Sequence, residues 1–171
     1  MKKNLLVVLL VSVFAVALVS SSALAADKGG SIGPNLGINF TGGDAAANVG
    51  VKIKMPPYGD LAFLKNVPGL HYEVSAGLPT YVQGLLRVTI MRTRTLRPYF
   101  GPDIRIVWNN FEMSVGGVIG AEYGLGALGL PEKLSADASF RMNLILRGGN
   151  AVDSFNSGIT VGAIYRFGGM D

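Results

Sequence analysis

Phe111-Glu112-Met113-Ser114-Val115-Gly116-Gly117-Val118-Ile119-Gly120-Ala121-Glu122-Tyr123 reads at a period of two. Phe111, Met113, Val115, Ile119 and Tyr123 fall on one side, while Glu112, Ser114, Gly116, Gly120 and Glu122 fall on the other. Successive side chains of a strand point to opposite faces, so this stretch predicts a β-strand with one apolar and one polar face.

The same alternation recurs along the chain. It predicts strands near 32–40, 49–55, 70–78, 82–92, 98–107, 111–123, 134–144 and 158–167, eight in all. Turn-forming runs separate them, among them Gly42-Gly43-Asp44, Pro56-Pro57-Tyr58-Gly59-Asp60, Asn109-Asn110 and Pro131-Glu132-Lys133. Connections this short favour an antiparallel up-and-down meander. The only helical candidate is a short piece over 60–66, capped by Asp60 and carrying Leu61, Phe63 and Leu64.

Composition decides what solvent such a sheet can meet. Charged residues are 15% and hydrophobic residues 49%, with 24 glycines, and no apolar run past the N-terminus is long enough for a membrane helix. A closed barrel is the other structure that satisfies its backbone hydrogen bonds inside lipid, and it spreads its apolar residues over alternate positions. Segments of about ten residues have the length of a tilted transmembrane strand.

The N-terminus carries an export signal. Lys2 and Lys3 precede an apolar run from Leu5 to Val19, followed by Ser20-Ser21-Ser22-Ala23-Leu24-Ala25. This predicts a signal peptide over 1–25 and a single barrel domain over 26–171. Those two lysines belong to the 15 basic residues set against 11 acidic ones, so the rest of the chain is near balance and offers no electrostatic footprint for nucleic acid. The chain has no Cys, which removes disulfides, thiolate metal sites, Cys nucleophiles and a lipid-modified cysteine after the leader.

Alternation alone leaves open which face meets lipid. The polar face is rich in Gly and Ser, which suits the crowded lumen of an eight-stranded barrel and covers a wet surface poorly. Its charges have both signs, and a polar lumen network is predicted from Lys52, Glu73, Arg87, Asp103, Arg105, Glu112, Glu122, Asp137, Arg141 and Arg166. The expected pairs are Glu73 with Arg87 or Lys52, Arg105 with Glu112, and Asp137 with Arg141 or Arg166. Two aromatic girdles are expected at the membrane interfaces. Tyr72, Tyr99, Phe100, Tyr123, Tyr165 and Phe167 form the periplasmic one, and Phe40, Tyr81, Trp108 and Phe111 the outer one.

Ile159-Thr160-Val161-Gly162-Ala163-Ile164-Tyr165-Arg166-Phe167 resembles the closing strand of the small eight-stranded bacterial outer-membrane barrels of the OmpA, OmpX and OmpW kind, and the chain from 26 onward resembles them in pattern. The resemblance implies an all-β, up-and-down antiparallel eight-stranded transmembrane barrel in the outer membrane. It implies outer-membrane lipids, lipopolysaccharide among them, as surroundings, and recognition of the closing strand by the barrel assembly machinery. Gly168-Gly169-Met170-Asp171 follow Phe167, where such barrels end on an aromatic residue. The long connections 57–69 and 124–133 fall on the periplasmic side, where such barrels have short turns.

Little in the sequence points to chemistry. His71, Glu73 and Ser75 share the inward face of one strand, the raw material of an acyl-transfer site, but neighbours two apart are separated by about 7 Å along the strand. Arg92, Arg94 and Arg97 flank one turn and read as an interfacial anchor or a contact for lipid phosphate. One His and no Cys disfavour a transition-metal site, and no cofactor is implied. The leading expectation is a non-enzymatic barrel with a side-chain-filled lumen, giving envelope integrity or presenting loops 41–48 and 147–157. The rivals are a narrow pore or lateral path for small or apolar solutes, a lipid-modifying acyl hydrolase using His71, and a soluble periplasmic lipocalin-like barrel.

Overall fold

The computed structural model describes residues 30–56, 67, 69–78, 80–91, 93, 95–108, 112–147 and 151–167. The expected signal peptide, the short helix over 60–66, and Arg92, Arg94 and Phe111 lie outside these residues.

Eight antiparallel strands close into one barrel in sequence order. They are β1 (Gly30–Thr41), β2 (Asp44–Met55), β3 (Leu70–Leu78), β4 (Tyr81–Thr89), β5 (Leu96–Val107), β6 (Glu112–Gly124), β7 (Leu134–Arg147) and β8 (Ala151–Phe167). A single 3₁₀ turn, Leu125–Leu128, lies between β6 and β7.

The pairing register shows how the wall closes. Starting from Ser31, partners run through Lys54, Glu73, Leu85, Asp103, Gly116, Asn143 and Asn156, then reach β1 again at Thr41. The circuit therefore returns ten residues higher on the strand where it began. An odd shift would set an inward side chain beside an outward one, so only an even shift keeps the two faces consistent. A shear of this size tilts eight strands by about 40° and leaves a lumen just wide enough for side chains.

The polar face points inward. Lys52, Arg87 and Asp137 are 3%, 0% and 2% exposed, while Leu36, Ile119 and Ile159 on the other face are 58%, 61% and 51% exposed. Among the described strand side chains, none on the outward face is charged. A soluble ligand-binding barrel would have the opposite polarity.

Two expected loops are strand instead. Gly42 and Gly43 have φ of 60° and 97°, the left-handed pair that a two-residue hairpin turn demands, so β2 already starts at Asp44. Ala45, Ala46 and Ala47 pair with Phe40, Asn39 and Ile38. Three alanines show no alternation, which is why 41–48 reads as a loop in the sequence. Likewise β7 and β8 stay paired up to Arg147 and Ala151, with a bulge between Ile145 and Leu146, so 147–157 is mostly strand.

The ladder is interrupted at two places, and both follow one sequence pattern. Ile32-Gly33-Pro34-Asn35-Leu36 in β1 matches Phe100-Gly101-Pro102-Asp103-Ile104 in β5, half a barrel away. Between β1 and β8 the register runs from Ile32–Tyr165 to Asn35–Gly162 with no partners between, and between β4 and β5 it runs from Leu85–Asp103 to Val88–Phe100. Proline has no N–H to give the ladder at those rungs. The neighbouring strand closes in: a Cβ on Gly33 would collide with the Ala163 carbonyl oxygen, and one on Gly101 with that of Leu86.

Gly33→Ala and Gly101→Ala are each expected to destabilise the barrel by about 1–3 kcal/mol, the range of overpacking in a closed structure. Gly84→Ala, whose Cβ would enter open space, should change stability by less than about 0.5 kcal/mol. Urea titration of the folded barrel in micelles compares the three.

Candidate functional site: the filled lumen

The inward side chains form three layers. At the end that holds the first residue of β1 and the last of β8, a lattice of ions ties together every strand except β1. Lys52 Nζ lies 2.5 Å from Asp137 and 3.4 Å from Glu73. Arg87 reaches Glu73 at 3.2 Å, Asp137 at 3.3 Å and Glu122 at 2.8 Å. Glu122 also receives Lys54 at 2.8 Å, Arg97 at 3.6 Å and Arg166, whose Nη2 donates in addition to Ser135 Oγ at 2.7 Å. Tyr99 donates its hydroxyl to Asp137 at 3.2 Å, and its ring lies 3.5 Å beneath the Arg87 guanidinium.

Leu85 and Val118 stand above this lattice and pack with the Tyr99 ring into an apolar septum. A cavity of about 10 Å³ remains beside it, lined by Asn35, Ser75, Leu85, Val118 and Ser139 among others. That is room for about one water molecule.

Beyond the septum the bonds are mostly to neutral partners. Asp103 accepts from Gln83 at 3.0 Å and Asn143 at 3.2 Å, while Arg141 donates to Gln83 at 2.5 Å and Thr160 at 3.1 Å. Arg105 lies over the Tyr81 ring, 4.3 Å from its centre, and Tyr81 donates to Asn35 at 3.4 Å. Nearer the hairpin end, Asn156 donates to Thr41 at 2.9 Å.

All ten residues expected in the lumen face inward, in two groups. Lys52, Glu73, Arg87, Glu122, Asp137 and Arg166 share the ion lattice, and Asp103, Arg105 and Arg141 lie beyond the septum. Glu112 is half-buried near the top of β6. Glu73 meets both of its expected partners, Lys52 and Arg87, while the pairing of Asp137, Arg166 and Arg141 differs from the expected one. Asp137 binds Lys52 and Arg87, Arg166 binds Glu122, and Arg141 binds Gln83 and Thr160. Tilted strands bring together lumen side chains far apart in register: Lys52 and Asp137 meet across the lumen from β2 and β7.

The aromatic girdles need correction at two positions. Tyr81 and Tyr99 are each 2% exposed and lie in the lumen. Tyr81 has the parity of Gln83 and Arg87, and Tyr99 that of Gly101 and Asp103. In both strands alternation fixes the direction of the ring, whatever its chemical type. Phe40, Phe100, Trp108, Tyr123 and Tyr165 are exposed, and Tyr72 and Phe167 are half-buried on the outward side.

His71, Glu73 and Ser75 form no acyl-transfer constellation. Both Glu73 oxygens are held, Oε1 by Lys52 and Oε2 by Arg87, and His71 Nδ1 lies 3.0 Å from the Gly69 carbonyl. Among the described residues no three His, Cys, Asp or Glu side chains are placed to hold a metal ion.

In strand number, order and polarity of faces, this is the architecture of the small eight-stranded outer-membrane barrels. No protein-family model and no curated protein matches the chain. Among solved structures it is similar to Neisserial surface protein A, at 11% identity over 81% of this chain and 96% of that one, with a TM-score of 0.47. It is similar to OprG from Pseudomonas aeruginosa at 12% identity over 84% and 98% of the two chains, with a TM-score of 0.45. The attachment invasion locus protein Ail of Yersinia pestis, solved with the heparin analogue sucrose octasulfate, has 11% identity over 81% and 97%, and a TM-score of 0.37. Identities this low concern fold and not activity.

Glu122→Gln leaves Arg87, Lys54 and Arg166 without their shared carboxylate. It is expected to cost about 3–5 kcal/mol, as for other broken buried ion pairs. Tyr99→Phe removes one hydrogen bond and should cost about 1 kcal/mol. Folding equilibria of both variants in the same micelle check the order.

Proposed function

We propose that this chain is an exported outer-membrane barrel that works through its wall and its ends, as an envelope or surface protein, and neither conducts solutes freely nor catalyses a reaction. The observation that carries this reading is the filled lumen: among the described residues an ion lattice and the Leu85–Val118 septum occupy it, beside a cavity of about 10 Å³. The uncharged outward face supports membrane insertion. On β8 it runs from Tyr165 to Phe155, which at this tilt is about 25 Å along the axis, the height of an outer-membrane apolar band. The expected leader over 1–25 supports export.

One rival has a specific observation in its favour. The interrupted rungs at Pro34 and Pro102 weaken the wall at two seams, where a lateral path for an apolar solute would run. Such a path requires Leu85, Val118 and Tyr99 to move aside.

Cells expressing the chain should carry it in the outer-membrane fraction, with gel mobility that changes on boiling. In planar bilayers the purified barrel should be silent, whereas Arg87→Ala combined with Tyr99→Ala should give measurable current. Steady conductance by the unaltered protein refutes the closed-lumen reading, and a periplasmic, heat-insensitive protein refutes the membrane reading.

A further inference from the structure

We infer that the connection between β6 and β7 is a lipid contact in its own right, with Leu128 and Leu130 seated where headgroups meet acyl chains, in the leaflet at the end where β1 begins and β8 stops. From Tyr123 to Pro131 the chain carries no charge, and Glu132 and Lys133 follow. Leu128 and Leu130 are 66% and 48% exposed, the range of Ile119 and Ile159 on the wall that faces lipid. A singly exposed leucine is ordinary on any surface, whereas a contiguous apolar patch marks a contact. These two are not single. Leu96 and Tyr123 are register partners and both are exposed, and Ile90, whose N–H donates to the Pro98 carbonyl at 3.0 Å, is exposed together with Met91. The patch follows the rim from β4 round to the turn.

The backbone of the connection suits a medium poor in water. Gly129, at φ 78°, closes the 3₁₀ turn by donating to the Gly126 carbonyl at 3.0 Å, and Leu130 donates to that of Leu125 at 3.3 Å. Gly124 donates to Thr95 at 2.7 Å, Leu134 to Pro131 at 2.9 Å and Arg166 to Lys133 at 2.9 Å, while Pro131 has no N–H to place. Polar groups satisfied within the protein are the condition for a turn to lie against lipid. Continuity with the wall identifies the occupant. Tyr123 is the last outward residue of β6, and the turn begins directly beyond it, so the leaflet that covers the wall reaches the turn as well. An apolar segment in that position enters the boundary region and leaves its charged neighbours, here Glu132 and Lys133, in water. The inference rests on the membrane reading above.

The test uses the folded barrel in phosphatidylcholine nanodiscs, its closure verified by heat-dependent mobility. Two paramagnetic probes are compared through the backbone amide resonances: a phosphatidylcholine with a nitroxide near the headgroup end of its acyl chain, and a water-soluble gadolinium chelate. Ile119 on the wall reports the bilayer, and Gly43 at the tip of the β1–β2 turn reports water. The amides of Leu128 and Leu130 should be broadened by the lipid probe and spared by the chelate. Leu128→Ser with Leu130→Ser should abolish the broadening by lipid at the turn and leave that of Ile119 unchanged; if the double variant fails to fold, Leu128→Ser alone is used and should lower it. Broadening of both leucines by the chelate alone, with Ile119 responding to lipid, overturns the inference and leaves the membrane reading standing. Protection from both probes overturns it too, since another protein surface, such as a second copy, then covers the patch. If Ile119 does not respond to lipid either, the membrane reading fails and the inference falls with it.

Discussion

Backbone N–H and C=O groups in the wall find their partners on the next strand, and a sheet with an open edge would leave a row of them unpaired. The wall therefore has to close, and it closes only with an even shift of register. The circuit from Ser31 to Thr41 meets that condition, carrying inward residues to inward residues throughout. Strand number and shift together set the radius, and the radius sets how much side-chain volume the lumen must hold.

The contents of the lumen follow from that volume. Where two strands approach closely, only glycine fits, as at Gly33 and Gly101. Where space remains, long charged side chains span it, and their desolvation is offset by opposite charge in the ion lattice and by amides, hydroxyls and an aromatic ring beyond the septum. Arg87 is the clearest case: it is fully buried, touches three carboxylates and stacks on Tyr99. Leu85 and Val118 stand between the ion lattice and the amide-rich layer, and the small cavity beside them touches both, with Lys52 and Glu73 from one and Gln83, Arg141 and Thr160 from the other. One is held by ion pairs that link the strands. The other has more neutral bonds and more buried polar atoms without a protein partner, such as both amide atoms of Asn48.

The repeated Gly-Pro steps add a two-fold character to the wall. Both interruptions lie on the side of the strand that faces its predecessor around the barrel, β8 for β1 and β4 for β5. The wall is therefore two four-stranded halves joined at two weakened seams. The first seam is also where the first and last strands pair, so the weakness at β1 and β8 coincides with the pairing that closes the barrel. The motif stands in the sequence, but its effect comes from proline's missing donor in a ladder that exists only once the barrel has closed.

Period-two alternation placed eight strands, and the Gly- and Ser-rich polar face was legible as a lumen, because those properties are local to each strand. Alternation also carried the direction of Tyr81 and Tyr99, but a general preference of aromatic rings for interfaces masked it. The alanine run 45–47 gave no alternation to read, and its strand pairing came from the Gly42-Gly43 turn. Glu73 with Lys52 and Arg87 was legible because those residues lie on neighbouring strands, but the partners of Asp137 were not. Lys52 and Asp137 are 85 residues apart and on non-neighbouring strands; only tilt and shear bring them to one height across the lumen, and these belong to the closed barrel as a whole. The sequence by itself determined the wall and its two faces, and the tertiary structure alone decided the network inside, because a face is a property of one strand and a lumen is a property of eight.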